Sequence, residues 1–272
     1  MKPLLLLCLL LPCGLLPSGL PTARAQLPAQ TLEQVIARVK PAIVGIGSHQ
    51  KTRTPAVQFI GTGFVTGDGL SVLTCAHVIE KLLAANPGET IGVLTGQGEV
   101  AQFRAATVQA LDAEHDLALL RLTGTPLPAL QLGDAAEVRE GQAMAFTGFP
   151  LGTLLGLHHV THRATVSALT PVVLPSANAL RLDPKRLAQL QKAPYTVFQL
   201  DATAYPGSSG SPLFDPQTGL VYGIVNMVYV KGLKEAAVTA PSGITYAIPG
   251  RHIQALLLKN NALSSAPAAG AR

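Results

Sequence analysis

The sequence predicts an all-β protein, either a pair of barrels or a single sandwich, and three observations carry that expectation. Short apolar strands bounded by turn residues recur along the chain in two groups of about six. Thr123-Gly-Thr-Pro-Leu-Pro128 separates the groups and reads as a linker. No long helix alternates with the strands, which argues against a parallel α/β sheet. Strand pattern alone leaves the two architectures open.

The first stretch of the 272 residues is read as a leader rather than part of the fold. Met1-Lys2 is a short positive start, Leu4 to Leu16 is apolar but broken by Pro12 and Gly14, and Ala23-Arg-Ala25 places small residues at a cleavage site. Residues 1–25 are therefore expected to be a secretory signal, cut before Gln26. The apolar run is too short and interrupted for a spanning helix, which needs about 20 apolar residues. No stable membrane insertion is expected after cleavage. Cys8 and Cys13 leave with the signal, so Cys75 is the remaining thiol and no intrachain disulfide is available. An exported chain without disulfides suits a bacterial periplasm, or secretion from a bacterium. Loss of Lys2 and Arg24 lowers the formal charge from +5 to +3 (5 − 2). The basic residues are scattered rather than striped, so nucleic acid is not an expected partner.

Residues 26–40 are expected to form an N-terminal helical segment. Leu32, Val35, Ile36 and Val39 share a face, Thr31 supplies a cap, and Pro41 stops the helix. The first barrel or sheet is assigned to residues 41–125. It opens with a strand at Ala42–Gly47. Gly61-Thr-Gly-Phe-Val-Thr66 then turns through Gly67-Asp-Gly69 into Leu70-Ser-Val-Leu-Thr74, a hairpin signal. A bend at Cys75-Ala-His77 leads into one or two helical turns over Val78–Ala85. Strands are expected at Thr90–Leu94, Glu99–Ala110 and Leu117–Leu122. Residues 126–259 carry the second set, at Gln142–Thr147, His159–Leu169, Thr196–Leu200, Pro212–Phe214, Leu220–Val228 and Ile244–Ala247. Between these lie a long insertion, Thr170–Lys192, with a small helix at Pro184–Gln191, and a closing helix at Arg251–Lys259. Residues 260–272 are rich in Ala, Ser and Pro and are expected to be disordered.

Chemistry concentrates in Asp201-Ala-Thr-Ala-Tyr-Pro-Gly-Ser-Ser-Gly-Ser-Pro-Leu213. Such a run cannot be helix or strand; it is a tight turn whose N–H groups point into one space beside a hydroxyl. A nucleophile and a set of oxyanion donors are what acyl transfer requires. A histidine and an aspartate lie upstream. His77 follows an apolar strand at a bend. Asp116 sits before Leu-Ala-Leu-Leu, where a buried carboxylate is costly unless it has partners. The alternative for Asp116 is a helix-cap or turn aspartate, which the continuing apolar run disfavours. Paired with His77, Asp116 would fix the ring tautomer and leave the other nitrogen free to take a serine proton. Ser208, Ser209 and Ser211 compete for nucleophile, and none fits the Gly-x-Ser-x-Gly elbow. The order His, Asp, Ser is that of chymotrypsin.

With these residues in place, the chain resembles a trypsin-like serine peptidase of the HtrA/Deg type, from about Pro41 to Pro249. The likeness runs in order through Gly61-Thr-Gly-Phe-Val65, Val72-Leu-Thr-Cys-Ala-His-Val78, His115-Asp-Leu-Ala-Leu-Leu120, Phe149-Pro-Leu-Gly152 and Gly243-Ile-Thr-Tyr-Ala-Ile-Pro249. Pro206-Gly-Ser-Ser-Gly-Ser-Pro-Leu213 resembles Pro-Gly-Asn-Ser-Gly-Gly-Pro-Leu and so places the nucleophile at Ser209. The resemblance implies two six-stranded antiparallel β-barrels, chymotrypsin-like, with short terminal helices and the triad in the cleft between them. It implies an oxyanion hole from the N–H groups of Gly207 and Ser209. Ser208 departs from the family's Asn or Asp, Ser211 from its second Gly, and Cys75 from a common polar residue. Only a short tail follows the last helix, so no PDZ domain is expected.

A specificity pocket is expected from Thr203, Ala204, Val225 and Asn226, with Met227 at the rim. None is charged, which predicts a small to medium apolar side chain before the scissile bond. His158, His159 and His162 do not make a convincing zinc set, because His159 points away on a strand and no Cys or carboxylate is near in sequence. No metal and no cofactor are expected. The reading is an exported serine endopeptidase acting on polypeptides through an acyl-enzyme. Its rivals are an inactive peptide-binding homologue of the same fold and an esterase.

Overall fold

A computed structural model describes residues 30–85, 88–96, 98, 101–171, 195–226 and 243–265. The leader, the Pro184–Gln191 helix, Met227 and residues 266–272 lie outside the described residues. The opening helix, α1 (Leu32–Val39), is closed at its start by a reciprocal cap. The Thr31 hydroxyl accepts from the Gln34 N–H at 3.4 Å, and the Gln34 side chain accepts from the Thr31 N–H at 3.1 Å. Val35 and Val39, four apart on one face, are fully buried.

Twelve strands form two closed barrels, so the sandwich alternative is excluded. The first contains β1 (Ile43–His49), β2 (Val57–Thr66), β3 (Ser71–Cys75), β4 (Thr90–Thr95), β5 (Gln102–Asp112) and β6 (Leu117–Leu122), in the order β1-β2-β3-β6-β5-β4. It closes through β1 and β4, with Ile46 opposite Val93. The second contains β7 (Ala143–Gly148), β8 (Val160–Pro171), β9 (Thr196–Asp201), β10 (Pro212–Phe214), β11 (Val221–Asn226) and β12 (Ile244–Pro249), in the order β10-β11-β12-β9-β8-β7. It closes through β10 and β7, with Leu213 opposite Phe146. All of these pairings are antiparallel. Closure removes the free strand edges that a sheet would otherwise expose.

Two elements run further than the sequence suggests. The helix after β3, α2 (Ala76–Ala85), starts two residues earlier and therefore includes His77. A four-residue helix, α3 (Gly152–Leu155), follows the Phe149-Pro-Leu turn. The last helix, α4 (Gly250–Ser265), continues into the segment expected to be a disordered tail. The reason is local: no Gly or Pro interrupts the chain between Arg251 and Ser265, and Pro267 is the first strong breaker. Among the described residues no helix is long and apolar enough to cross a membrane.

The two barrels share an apolar core across their seam. The first core, built on Phe64, Leu73, Leu119 and Leu120, continues through Phe149, Phe214, Ile224 and Ile248 of the second half and Ile253 of α4. The second core holds Met144, Phe146, Val166, Leu200, Leu213 and Val225. Apolar contact across the seam fixes the two barrels against each other, and that positions the loops meeting there.

Candidate active site

Asp116 occupies a turn between β5 and β6 with φ 54°, a left-handed conformation that Asp tolerates better than most residues. Its backbone carbonyl accepts the Ala76 N–H at 3.0 Å. One carboxylate oxygen, Oδ1, accepts the His77 N–H at 2.7 Å, and the other, Oδ2, lies 2.6 Å from His77 Nδ1. The cap role and the histidine-partner role, set against each other in the sequence, are both performed by this one side chain. Facing a carboxylate, Nδ1 carries the ring proton and donates it, which leaves Nε2 with its lone pair. The two side chains are 15% and 16% exposed, so the contact is only weakly screened by water.

A third group completes this arrangement. Asn226 Nδ2 donates to Asp116 Oδ2 at 2.8 Å. The sequence placed Asn226 in the specificity pocket; the structure buries it completely, with its amide on the aspartate. Nothing in sequence spacing ties residue 226 to residue 116. Only the meeting of β11 with the first barrel does so. Val225, expected beside it, turns its side chain into the second core, and Ala204 packs there too. Thr203 is half-buried in the segment leading to the serines. The Ala204 N–H is held by Thr245 Oγ1 at 3.0 Å.

The Ser/Gly loop is a chain of short turns. The Ser208 N–H donates to the Tyr205 carbonyl at 2.9 Å, and the Ser211 N–H to the Ser208 carbonyl at 3.0 Å. Gly207 and Gly210 have φ 98° and 91°. A Cβ at Gly207 would lie 2.4 Å from the Phe149 carbonyl oxygen, and one at Gly210 would lie 1.9 Å from that of Thr62. Both positions therefore need glycine for conformation and for space. Among the described residues no protein acceptor takes the N–H of Gly207 or of Ser209. Such a pair of free donors is what an oxyanion site is made of.

Of the three candidate serines, Ser209 is the most accessible, at 7%, against 1% for Ser208 and 0% for Ser211. Among the described residues, the buried hydroxyls of Ser208 and Ser211 have no protein partner. Ser211 Oγ fits where Gly148 lacks a side chain, since a Cβ there would approach it to 2.1 Å.

Thr62 of β2 ties the loop to the first barrel. Its N–H donates to the Ser209 carbonyl at 2.9 Å, its hydroxyl donates to the Gly207 carbonyl at 2.7 Å, and the same hydroxyl accepts the Phe149 N–H at 3.1 Å. Beside it, the position of a Cβ on Gly61 is 3.0 Å from Val78 and 3.2 Å from the Ser209 carbonyl. The Ser209 carbonyl and Val78, the residue that follows His77, thus lie beside the same point of β2, the space Gly61 leaves open. Sequence reasoning missed Thr62; its place inside Gly-Thr-Gly was the available signal.

Cys75 is fully buried and its thiol lies 3.4 Å from the Val225 carbonyl. Burial pushes the thiol well above its ordinary range, and the charge of Asp116 adds to the shift, so the sulfur stays protonated. Among the described residues, Cys75, His77 and Asp116 form the one group of potential metal ligands, with their atoms within 4.8 Å of one another. A formed tetrahedral zinc site brings its ligand atoms to about 3.3–3.8 Å. Within this group Nδ1 and Oδ2 are bonded to each other. His159 and His162 do not join it. His159 Nε2 donates to the Ile43 carbonyl at 3.1 Å, and His162 stacks on Phe146 at 4.9 Å. Burial lowers the basicity of both rings.

Residues 61–224 match the family model described as trypsin-like peptidase domain. A probable periplasmic serine endoprotease, DegP-like, from Pseudomonas fluorescens is 29% identical over 203 residues, covering 74% of this chain and 35% of that protein. The mitochondrial serine protease HTRA2 of Bos taurus is 29% identical over 231 residues, covering 83% of this chain and 42% of that protein. The chain therefore spans between a third and a half of the length of these relatives. Among solved structures, the HtrA-type protease AlgW with a decapeptide superposes with a TM-score of 0.61 at 21% identity, over 86% of this chain and 68% of that one. AlgW with a tripeptide gives 0.58 at 20%, over 85% and 63%. Two closed barrels, the paired histidine and aspartate, the glycine-shaped serine turn and a match over more than half the sequence agree: this chain belongs to the trypsin-like peptidase domain family, and HtrA- and DegP-like serine proteases are among its relatives.

Proposed function

We propose that the protein is an exported serine endopeptidase that cleaves polypeptides through an acyl-enzyme. The observation that carries this reading is the short contact between His77 Nδ1 and Asp116 Oδ2, which leaves Nε2 as a base. In the proposed reaction Nε2 removes the Ser209 hydroxyl proton as Oγ attacks the peptide carbonyl. His77 then returns the proton to the leaving amine, and water deacylates the enzyme by the reverse path. The N–H groups of Gly207 and Ser209 receive the oxyanion. Asp116 stabilises the imidazolium, and Asn226 holds the carboxylate.

The greater accessibility of Ser209 favours it over Ser208 and Ser211 as nucleophile. Peptides in two related AlgW structures support a polypeptide substrate. The predicted leader, with relatives named as periplasmic, supports a bacterial periplasmic or secreted location.

The test is labelling by a fluorophosphonate together with hydrolysis of a peptide library. Labelling confined to Ser209, with turnover abolished in Ser209→Ala, supports the proposal. A folded protein that neither labels nor cleaves is an inactive peptide-binding homologue instead. Hydrolysis of esters without peptides would make it an esterase.

A further inference from the structure

On the far side of the Asp116 turn, three segments meet in an aromatic stack outside the proposed machinery. Asp112 Oδ1 accepts the N–H groups of Glu114 at 3.1 Å and His115 at 3.2 Å, and its Oδ2 lies 2.7 Å from His115 Nδ1. The His115 ring stacks on that of His252, in the first turn of α4, with centroids 3.9 Å apart and planes at 25°. Tyr195, directly before β9, sets its ring edgewise against both, at 4.7 Å and 5.1 Å. Arg251 ties the stack further. Its Nη2 donates to the Thr196 carbonyl at 3.2 Å, and its Nε donates to His252 Nε2 at 3.2 Å.

The last contact fixes a protonation state. A guanidinium only donates, so His252 Nε2 must accept and the ring must be neutral. A proton at Nε2 removes that bond and sets a second cation against Arg251. The new charge would also sit at the positive end of a helix. The groups facing His252 are His115, Asp112 and Glu114 from the β5–β6 turn, Tyr195 from the entry to β9, and Arg251 from its own helix. Burial, then His115 and Arg251, pull the ring's pKa down to about 4, against the opposing pull of Asp112 and Glu114.

We propose that the His115–His252–Tyr195 stack is a proton-operated latch. While His252 is neutral, it clamps α4 and the entry to β9 onto the turn that carries Asp116; acid opens it. His115 and Asp116 are consecutive, and Asp116 holds a left-handed backbone. Opening therefore frees the residue that orients His77, a consequence for catalysis that rests on the proposed function.

Amide hydrogen exchange tests the latch without any need for turnover. Corrected for the intrinsic pH dependence, protection in α4 and in residues 112–118 should fall at least about 10-fold between pH 6.5 and 4, before global unfolding. His252→Phe keeps a ring and cannot titrate, so its protection should stay flat. His252→Gln, which offers Arg251 an acceptor, serves if the Phe variant does not fold. Labelling by a fluorophosphonate is compared as the ratio of wild type to variant at each pH. That ratio should drop several-fold from pH 7 to 4. Protection that is flat in the wild type, or equally pH-dependent in both variants, overturns the latch. A pH-dependent latch in a protein that labels at no pH upholds it and removes the peptidase reading instead.

Discussion

Replacing Asp116 by Asn keeps the shape of the dyad and changes its donors and acceptors, which makes the consequence calculable. The carboxylate accepts three hydrogen bonds: the His77 N–H at Oδ1, and His77 Nδ1–H and Asn226 Nδ2 at Oδ2. An amide offers one oxygen and one NH2. With its oxygen at the Oδ2 site, the NH2 faces the His77 N–H across 2.7 Å, donor against donor at the start of α2. With its oxygen at the Oδ1 site, the NH2 faces the ring, so His77 must move its proton to Nε2, and Asn226 must rotate to present its own oxygen. The second arrangement gives the His77 N–H, the His77 ring and the new amide a partner and is the one expected to form, but its histidine carries the proton where the base should be. In its productive tautomer the variant lacks the two charge-assisted hydrogen bonds that the carboxylate makes to His77, about 3–6 kcal/mol at about 1.5–3 kcal/mol each. That converts to a fall in kcat of about 10²- to 10⁴-fold at about 1.36 kcal/mol per decade. Stability should change little. Peptide hydrolysis reads the rate, and the nitrogen chemical shifts of the His77 ring read the tautomer independently of turnover. An Asp116→Asn protein that keeps kcat within about threefold of wild type, or keeps its proton on Nδ1, refutes the reasoning.

Thr62→Val removes a donor to the Gly207 carbonyl and an acceptor for the Phe149 N–H. A stability loss of about 1–3 kcal/mol in urea unfolding is expected, with slower fluorophosphonate labelling because the Gly207 amide is no longer held. Gly210→Ala drives a Cβ to within 1.9 Å of the Thr62 carbonyl at φ 91°, so a loss of about 3 kcal/mol or more, or failure to fold, should appear in thermal unfolding. Stability should fall on acidification from about pH 6.5 toward about 4, because His252 binds its proton less readily in the folded than in the unfolded chain. His159 and His162 are shifted in the same direction and add to the trend. The unfolded state takes up more protons across that window, so the midpoint of thermal unfolding should drop there and be least pH-dependent above about 7.

Local chemistry made much of this molecule legible in advance. Gly67-Asp-Gly69 marked the β2–β3 hairpin because few other residues take the left-handed angles that both glycines adopt, 63° and 79°. The run from Leu117 to Leu122 could be read as a buried strand because five of its six residues are apolar, and those five are the buried ones. Resemblance, rather than periodicity, separated two barrels from a sandwich, because closure depends on pairs such as Ile46 with Val93 that no local pattern encodes. Within the site, His77 and Asp116 were visible as polar residues in apolar surroundings. Asn226 was misread because a strand's inward side chain has the same sequence signature whether it lines a pocket or reaches across a seam to an acid. Thr62 was overlooked for a similar reason: its hydroxyl satisfies backbone groups 87 and 145 residues away.

That threonine also bears on how such a domain could be rebuilt. Its bonds to Gly207, Ser209 and Phe149 make the geometry of the serine loop a joint property of the two halves. A chimera that takes its N-terminal half from a homologue keeps the Gly207 and Ser209 backbone placed as here only if the donor brings a hydroxyl at this place in its second strand. Recombination between relatives would then be governed less by the similarity of the grafted half than by a single oxygen atom at the joint.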